Sequence, residues 1–132
     1  MSDHDYYESA LLRLRRIASY LNLRYGDVIK ETGLTPVQFE ILLYLDSFAP
    51  CTVSDVAEFM VVDKSTSSRV LRGIEDRGLI QLELDNSDRR KRKISLTEEG
   101  VNIVDKHMVY WLAVEKEVRE HYDEAIELLE CV

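Results

Sequence analysis

The chain has 132 residues, of which 45% are hydrophobic and 32% are charged, a composition typical of a single folded domain. No stretch approaches 18 consecutive apolar residues, and the first five residues lack the basic start and apolar run of a secretory signal. The sequence therefore predicts no transmembrane helix, and we expect a cytoplasmic protein with free thiols at Cys51 and Cys131.

The net charge of −8 argues against a nucleic-acid partner until it is divided along the chain. Residues 1–59 sum to −4, residues 60–97 to +3 and residues 98–132 to −7. The basic groups are therefore concentrated in one segment, as contact with phosphates requires.

The first half of the chain has the pattern of helices. Apolar residues recur at steps of three and four, which predicts a long amphipathic helix over residues 4–32. Gly33 fits the left-handed position after its end. Thr35 and Gln38 have the spacing of a capping box, which starts a second helix that ends near residue 47.

Two short helices are predicted next. Thr52 caps a helix over residues 53–60, and Asp63 caps another over residues 64–77, which Gly78 ends. This arrangement is a helix-turn-helix.

The periodicity then changes from helical to alternating. Residues 79–84 and 93–96 alternate apolar and polar side chains, which predicts a two-stranded hairpin with a long basic tip. Thr97 caps a last helix that keeps helical spacing almost to the end of the chain.

We therefore predict a mainly α fold with a small β-hairpin wing. The single chain, residues 1–132, would consist of a winged helix-turn-helix domain over residues 35–97 and dimerisation helices over residues 4–32 and 98–132. A helix of about 30 residues spans about 45 Å, more than a compact domain of this size can cover. The apolar stripes of these helices predict a homodimer.

The exposed face of the fourth helix has the chemistry of a DNA-contacting surface. It carries short hydroxyls and long cations and no carboxylate, on Lys64, Ser65, Thr66, Ser68, Arg69 and Arg72. Hydroxyls bond to bases or phosphates, and arginine bonds to guanine with two hydrogen bonds. The alternative is an ordinary solvated face, but such faces usually mix charges of both signs.

The wing tip offers a second set of contacts. Arg89, Arg90 and Arg92 are placed to enter a minor groove, where the potential is negative, and Asp88 would orient one guanidinium. The alternative is a generic basic loop that binds any polyanion.

The sequences KSTSSR at 64–69, IEDRGLI at 74–80, DRR at 88–90 and LTEEG at 96–100 resemble those of MarR-type transcriptional regulators. The resemblance covers residues 5–125 and implies a triangular homodimer with a winged domain at two corners. By this resemblance, Ser65, Thr66, Ser68 and Arg69 lie on the recognition helix, and Arg90 is the wing arginine that pairs with Asp88.

Members of this family usually repress genes, and many release DNA when they bind a small aromatic compound. The family commonly has two helices after the wing. Here the last helix is either continuous or bends near residue 122.

Six aromatic residues could line an effector pocket between the dimerisation helices and the winged domain: Tyr20, Tyr25, Tyr44, Phe48, Tyr110 and Trp111. The candidates among them are Tyr20, Tyr44, Phe48 and Trp111. The alternative is that these aromatics are plain core. No histidine has a partner at ligand spacing and no catalytic motif occurs, so we expect no metal, no cofactor and no enzyme activity.

The sequence thus predicts a regulator that binds a pseudo-palindromic site on double-stranded DNA as a homodimer, with a small aromatic effector as a further partner. Two alternatives remain. One is a winged-helix module that binds another protein, and the other is an architectural DNA-binding protein without sequence preference.

Overall fold

The computed structural model describes residues 9–84, residue 87 and residues 92–130, with side chains up to residue 123. Within this part the fold is mainly helical with one small antiparallel sheet. The elements in chain order are α1 (Ala10–Val28), a 3₁₀ turn (Lys30–Thr32), α2 (Pro36–Phe48), β1 (Cys51–Thr52), α3 (Val53–Met60), α4 (Lys64–Asp76), β2 (Ile80–Leu84), β3 (Arg92–Leu96) and α5 (Glu98–Glu130). None of the helices in these ranges is long and apolar enough to cross a membrane.

Capping boxes start α2 and α3, and the first of them confirms the prediction. The Thr35 hydroxyl accepts a hydrogen bond from the Gln38 backbone N–H at 3.2 Å, and the Gln38 side chain accepts one from the Thr35 N–H at 2.9 Å. Thr52 and Asp55 form the same reciprocal pair at 3.1 and 2.9 Å. Local side chains therefore satisfy N–H groups that a helix start leaves without partners.

The first helix is shorter than the predicted span of residues 4–32. Ser9 caps it by accepting a hydrogen bond from the Leu12 N–H, so α1 begins at Ala10. At the other end, the Thr32 hydroxyl donates to the Ile29 carbonyl at 2.6 Å and accepts from the Leu34 N–H at 3.0 Å. These bonds hold a 3₁₀ turn in place of a further α-helical turn. Gly33 follows with φ of 71°, the left-handed position that the sequence predicted.

The predicted two-stranded hairpin is part of a three-stranded sheet. β2 and β3 pair antiparallel with Ile80 opposite Leu96, and β1 pairs with the other edge of β3 with Cys51 opposite Ile94. The strand β1 was missed because two residues carry no periodic pattern. It joins the start of the helix-turn-helix to the wing.

The core lies where α2 crosses α5 and the sheet. Phe39, Ile41 and Leu42 of α2 are fully buried, together with Ile74 of α4 and Ile94 of β3. Burial of each such side chain contributes about 1.5–3 kcal/mol to folding. This packing fixes the orientation of α4 relative to the sheet.

The last helix, α5, is one unbroken helix of 33 residues, about 50 Å long. It is continuous through residue 122, which settles the alternative left open by the sequence. Thr97 caps it as predicted, because the Thr97 hydroxyl accepts a hydrogen bond from the Gly100 N–H at 3.1 Å. α1 packs beside α5, and an ion pair between Arg24 and Glu117 joins the two helices.

Candidate nucleic-acid interface

A tight turn joins α3 to α4 and sets the angle between them. Val61 adopts a left-handed conformation with φ of 58°, which is uncommon for a β-branched residue. The Val62 N–H donates to the Ala57 carbonyl at 3.0 Å, which closes the end of α3. Asp63 then caps α4 by accepting a hydrogen bond from the Thr66 N–H at 3.0 Å.

One face of α4 is anchored in the core. Leu71 and Ile74 are buried, and the fully buried Ser67 hydroxyl donates to the Val53 carbonyl at 3.1 Å. Ser67 was not among the predicted contact residues, and the structure places it on the buried side of α4. It joins the two helices of the helix-turn-helix and leaves the opposite face of α4 outward.

The predicted contact residues of α4 lie on this outward face. Five of them are exposed and Thr66 is half-buried; the exposed ones are Lys64, Ser65, Ser68, Arg69 and Arg72. None of the three cations forms an ion pair with a described residue. The face therefore presents hydroxyls and cations that form no ion pairs with described residues, which suits contact with an anionic surface.

A short chain of hydrogen bonds orients Arg69. Its guanidinium donates to the Thr66 hydroxyl at 3.2 Å, and Thr66 is bonded to Asp63. Hydrogen bonds from the Thr66 side chain and backbone lower the pKa of the Asp63 carboxyl, and the Arg69 charge lowers it further. The ionised Asp63 therefore caps α4 and, through Thr66, helps to fix the cation nearly two turns later.

The wing is described only in part. Arg92 is exposed at the start of β3, opposite Leu84. Asp88, Arg89 and Arg90 lie outside the described residues, so their roles stay predictions.

The predicted effector residues do not line one common cavity. Trp111 is buried on α5, with ring centroids 4.4 Å from Tyr25 and 4.8 Å from Phe39. Tyr20 faces other grooves along α1 and α5. Tyr44 and Phe48 belong instead to an aromatic cluster with Phe59, farther along α2 from the residues that pack on Trp111.

Trp111 lines a cleft of about 420 Å³ between α1, α2 and α5, which we call the interhelical cleft. Its walls include Tyr25, Glu40 and Glu115. Glu40 and Glu115 were not predicted, because the sequence does not show where three helices cross, and Tyr25 was among the six aromatic residues but not among the four candidates. The available signal in the sequence was that Tyr25 and Trp111 each continue the apolar spacing of their own helix.

Cys51 is buried in β1. Burial raises the pKa of its thiol, and the nearby Asp55 charge raises it further. Both effects disfavour the reactive thiolate, in agreement with an inert thiol. In the part of the chain that the structure describes, no three His, Cys, Asp or Glu side chains are placed to hold a metal ion.

The sequence model of the MarR family matches residues 32–91. An HTH-type transcriptional regulator of Bacillus cereus is 34% identical over 89 residues, which cover 67% of this chain and 58% of that protein's length. The chain thus spans little more than half of the curated relative that it matches. Residues 32–91 are a MarR-family winged-helix domain, and the resemblance found in the sequence is confirmed.

Solved structures extend the likeness to almost the whole chain. The Mycobacterium tuberculosis regulator MosR, solved in complex with DNA, is 27% identical with a TM-score of 0.79, and the match covers 92% of this chain and 93% of that one. Bordetella bronchiseptica BpsR, whose DNA binding is regulated by 6-hydroxynicotinic acid, shares the fold with a TM-score of 0.83 at 22% identity, over 98% and 96% of the two chains.

Proposed function

We propose that this protein is a transcriptional regulator that binds a specific site on double-stranded DNA as a homodimer. The observation that carries the proposal is the outward face of α4, where cations and hydroxyls stand without a carboxylate. The relatives support it, since they are named as transcriptional regulators and MosR was solved on DNA. These names also agree with a protein that is not an enzyme.

In the proposed complex, α4 enters the major groove. Arg69 and the hydroxyls of Ser65 and Ser68 would contact base edges and phosphates. The wing would lie along the flanking minor groove, where Arg92 and the predicted Arg90 meet its negative potential.

Exposed apolar side chains on the terminal helices support a homodimer. Leu11, Leu14 and Ile17 on α1 are 65%, 48% and 44% exposed, and Val109 and Tyr110 on α5 are exposed as well. A second copy of the chain would bury these stripes and place two α4 helices symmetrically. The expected DNA site is therefore pseudo-palindromic, with half-sites about one helical turn apart.

We further propose repression that a small aromatic effector relieves. A protein bound over a promoter excludes polymerase from it. The interhelical cleft has a size within the usual range for small-molecule sites. BpsR, which shares the fold, responds to a hydroxylated aromatic acid.

The test is fluorescence anisotropy with DNA from upstream of the protein's own gene and with a random duplex of equal length. We expect much tighter binding to the upstream DNA. Arg69→Ala should weaken this binding by about 1–3 kcal/mol, because a bidentate contact to a base is worth that much.

Lys106→Ala is the matched control, because it removes the same charge from an exposed position on α5. An equal loss in both variants would mean that Arg69 acts only through net charge. Equal affinity for both duplexes would indicate an architectural protein. No binding even at low salt would exclude a DNA partner and favour the protein-interaction module.

A further inference from the structure

The interhelical cleft combines aromatic walls with two carboxylates. Tyr25 comes from α1, Pro36 and Glu40 from α2, and Trp111 and Glu115 from α5. No lysine or arginine lines it among the described residues. Its chemistry is therefore apolar and negatively charged.

Glu115 is held by its neighbours. It accepts a hydrogen bond from the Tyr25 hydroxyl and another from the Arg119 Nε at 3.0 Å. Burial raises the pKa of the Tyr25 hydroxyl, and the bond to Glu115 raises it further, so this hydroxyl stays protonated and keeps donating. Arg119 also forms an ion pair with Asp123, with 3.8 Å between a guanidinium nitrogen and a carboxylate oxygen.

Glu40 has no such partner. It forms no ion pair with a described residue, although its side chain lines the cleft. Desolvation raises the pKa of its carboxyl, and the charge of Glu115 raises it further. Glu40 is an exposed residue, so water screens its charge in the free protein, but no described cation pairs with it, and an ammonium group in the cleft would do so directly.

We propose that the interhelical cleft binds an organic cation, namely a protonated amine carried on an aromatic body. Glu40 forms the charge-assisted hydrogen bond with the ammonium group, and the parts of the Tyr25 and Trp111 rings that line the cleft cover the apolar body. A carboxylate or phenolate ligand meets repulsion from Glu40, whereas Arg119 and the Tyr25 hydroxyl offset the charge of Glu115.

The regulatory part of this inference rests on the proposed function. Glu40 and Pro36 belong to α2 of the winged-helix domain, whereas the other walls belong to the terminal helices. A ligand that contacts all three helices fixes α2 relative to α1 and α5. Its occupancy is therefore coupled to the position of α4 and to the affinity for DNA.

Trp111 is the single tryptophan of the chain, so its fluorescence reports on the cleft directly. The probes are para-tert-butylbenzylamine and para-tert-butylbenzoate, which share an apolar body and differ in charge. We expect the amine to change the emission with saturation at concentrations at which the benzoate has no effect. Equal or tighter binding of the benzoate would overturn the proposal.

Glu40→Gln is the decisive variant, and Glu31→Gln on the 3₁₀ turn is its control, because it removes the same charge outside the cleft. We expect Glu40→Gln to weaken amine binding about tenfold and Glu31→Gln to leave it unchanged. Circular dichroism verifies that both variants fold. Unchanged amine affinity in Glu40→Gln would refute the role of this carboxylate.

Fluorescence is measured without DNA, so failures of the two proposals are distinguishable. Amine binding by a protein that does not bind DNA would refute the proposed function and leave the cation site intact. DNA binding without amine binding would support the proposed function and refute the cation site. Amine binding that leaves the anisotropy of bound DNA unchanged would overturn the coupling.

Discussion

At the scale of single residues, the hydrogen bond from Arg69 to Thr66 is the detail with the clearest consequence for DNA binding. A long cation on a helix loses side-chain entropy when a contact fixes it. Arg69 is already oriented by the Thr66 hydroxyl, at 3.2 Å, before any partner is present. Part of the ordering cost is therefore removed in advance.

We predict that Thr66→Val weakens binding to the specific site by about 0.5–1.5 kcal/mol, the net value of one hydrogen bond. Thr66→Ser retains a hydroxyl and should restore most of the affinity. The measurement is anisotropy on the specific duplex, with the random duplex as reference. Unchanged affinity in Thr66→Val, which keeps a methyl group and lacks the hydroxyl, would show that the hydroxyl does not assist Arg69.

At the scale of elements, the first turn of α5 packs closely against the backbone of Gly78 and Leu79, just before β2. The Thr97 hydroxyl donates to the Gly78 carbonyl at 2.6 Å. A Cβ on Gly100 would stand 2.2 Å from the Leu79 carbonyl oxygen, well inside contact distance. The absence of a side chain at residue 100 therefore lets the first turn of α5 lie against the backbone before β2.

We predict that Gly100→Ala lowers the free energy of unfolding by about 1–3 kcal/mol or more, because backbone must move to admit the methyl group. Gly73→Ala is the matched control inside α4. There the nearest atom, Nε2 of Gln38, would be 3.9 Å away. It should raise stability by up to about 1 kcal/mol, since alanine favours helix. Urea unfolding measures the free energy of unfolding of both variants. Similar changes in the two variants would contradict a close contact at Gly100.

The elements also show what sequence could and could not predict. The starts of α2 and α4 were predictable, because Thr35 and Asp63 act within three residues of themselves. The strand β1 depends on distant pairing of Cys51 with Ile94, and so it carried no local signal. The left-handed Val61 contradicts the usual preference of valine; its side chain is 88% exposed, and the backbone hydrogen bonds from Val61 and Val62 to the end of α3 hold the turn.

The same division applies to the candidate sites. The outward residues of α4 follow from helical periodicity alone, so their exposure was predictable. The interhelical cleft depends on how α1, α2 and α5 cross, which periodicity does not fix. The sequence analysis therefore assigned aromatic residues from three different helices to one pocket. The structure separates Trp111 from Tyr44 and Phe48.

At the scale of the whole molecule, the exposed apolar side chains of the terminal helices are the basis for the proposed homodimer. We predict that the protein sediments with twice the mass of one chain and that Leu11→Glu with Leu14→Glu converts it to monomer. Charges in an apolar interface are costly to bury. DNA affinity should fall by about 10²–10⁴, because two linked contacts become single ones.

The control for this prediction combines Val37→Glu with Leu84→Glu. These positions are 43% and 60% exposed, close to the 48% and 65% of Leu14 and Leu11, but they lie outside the terminal helices. The control should remain dimeric. Dissociation of the control, or a dimer that persists with both α1 substitutions, would show that α1 is not the interface.

The unbroken length of α5 has a mechanical consequence. A stiff rod about 50 Å long, tied at one end to the wing, acts as a lever arm. A tilt of about one tenth of a radian at its far end displaces the near end by about 5 Å, which exceeds the rise of about 3.4 Å between base pairs. In the proposed complex, an angular change of this size would shift α4 out of register with its half-site.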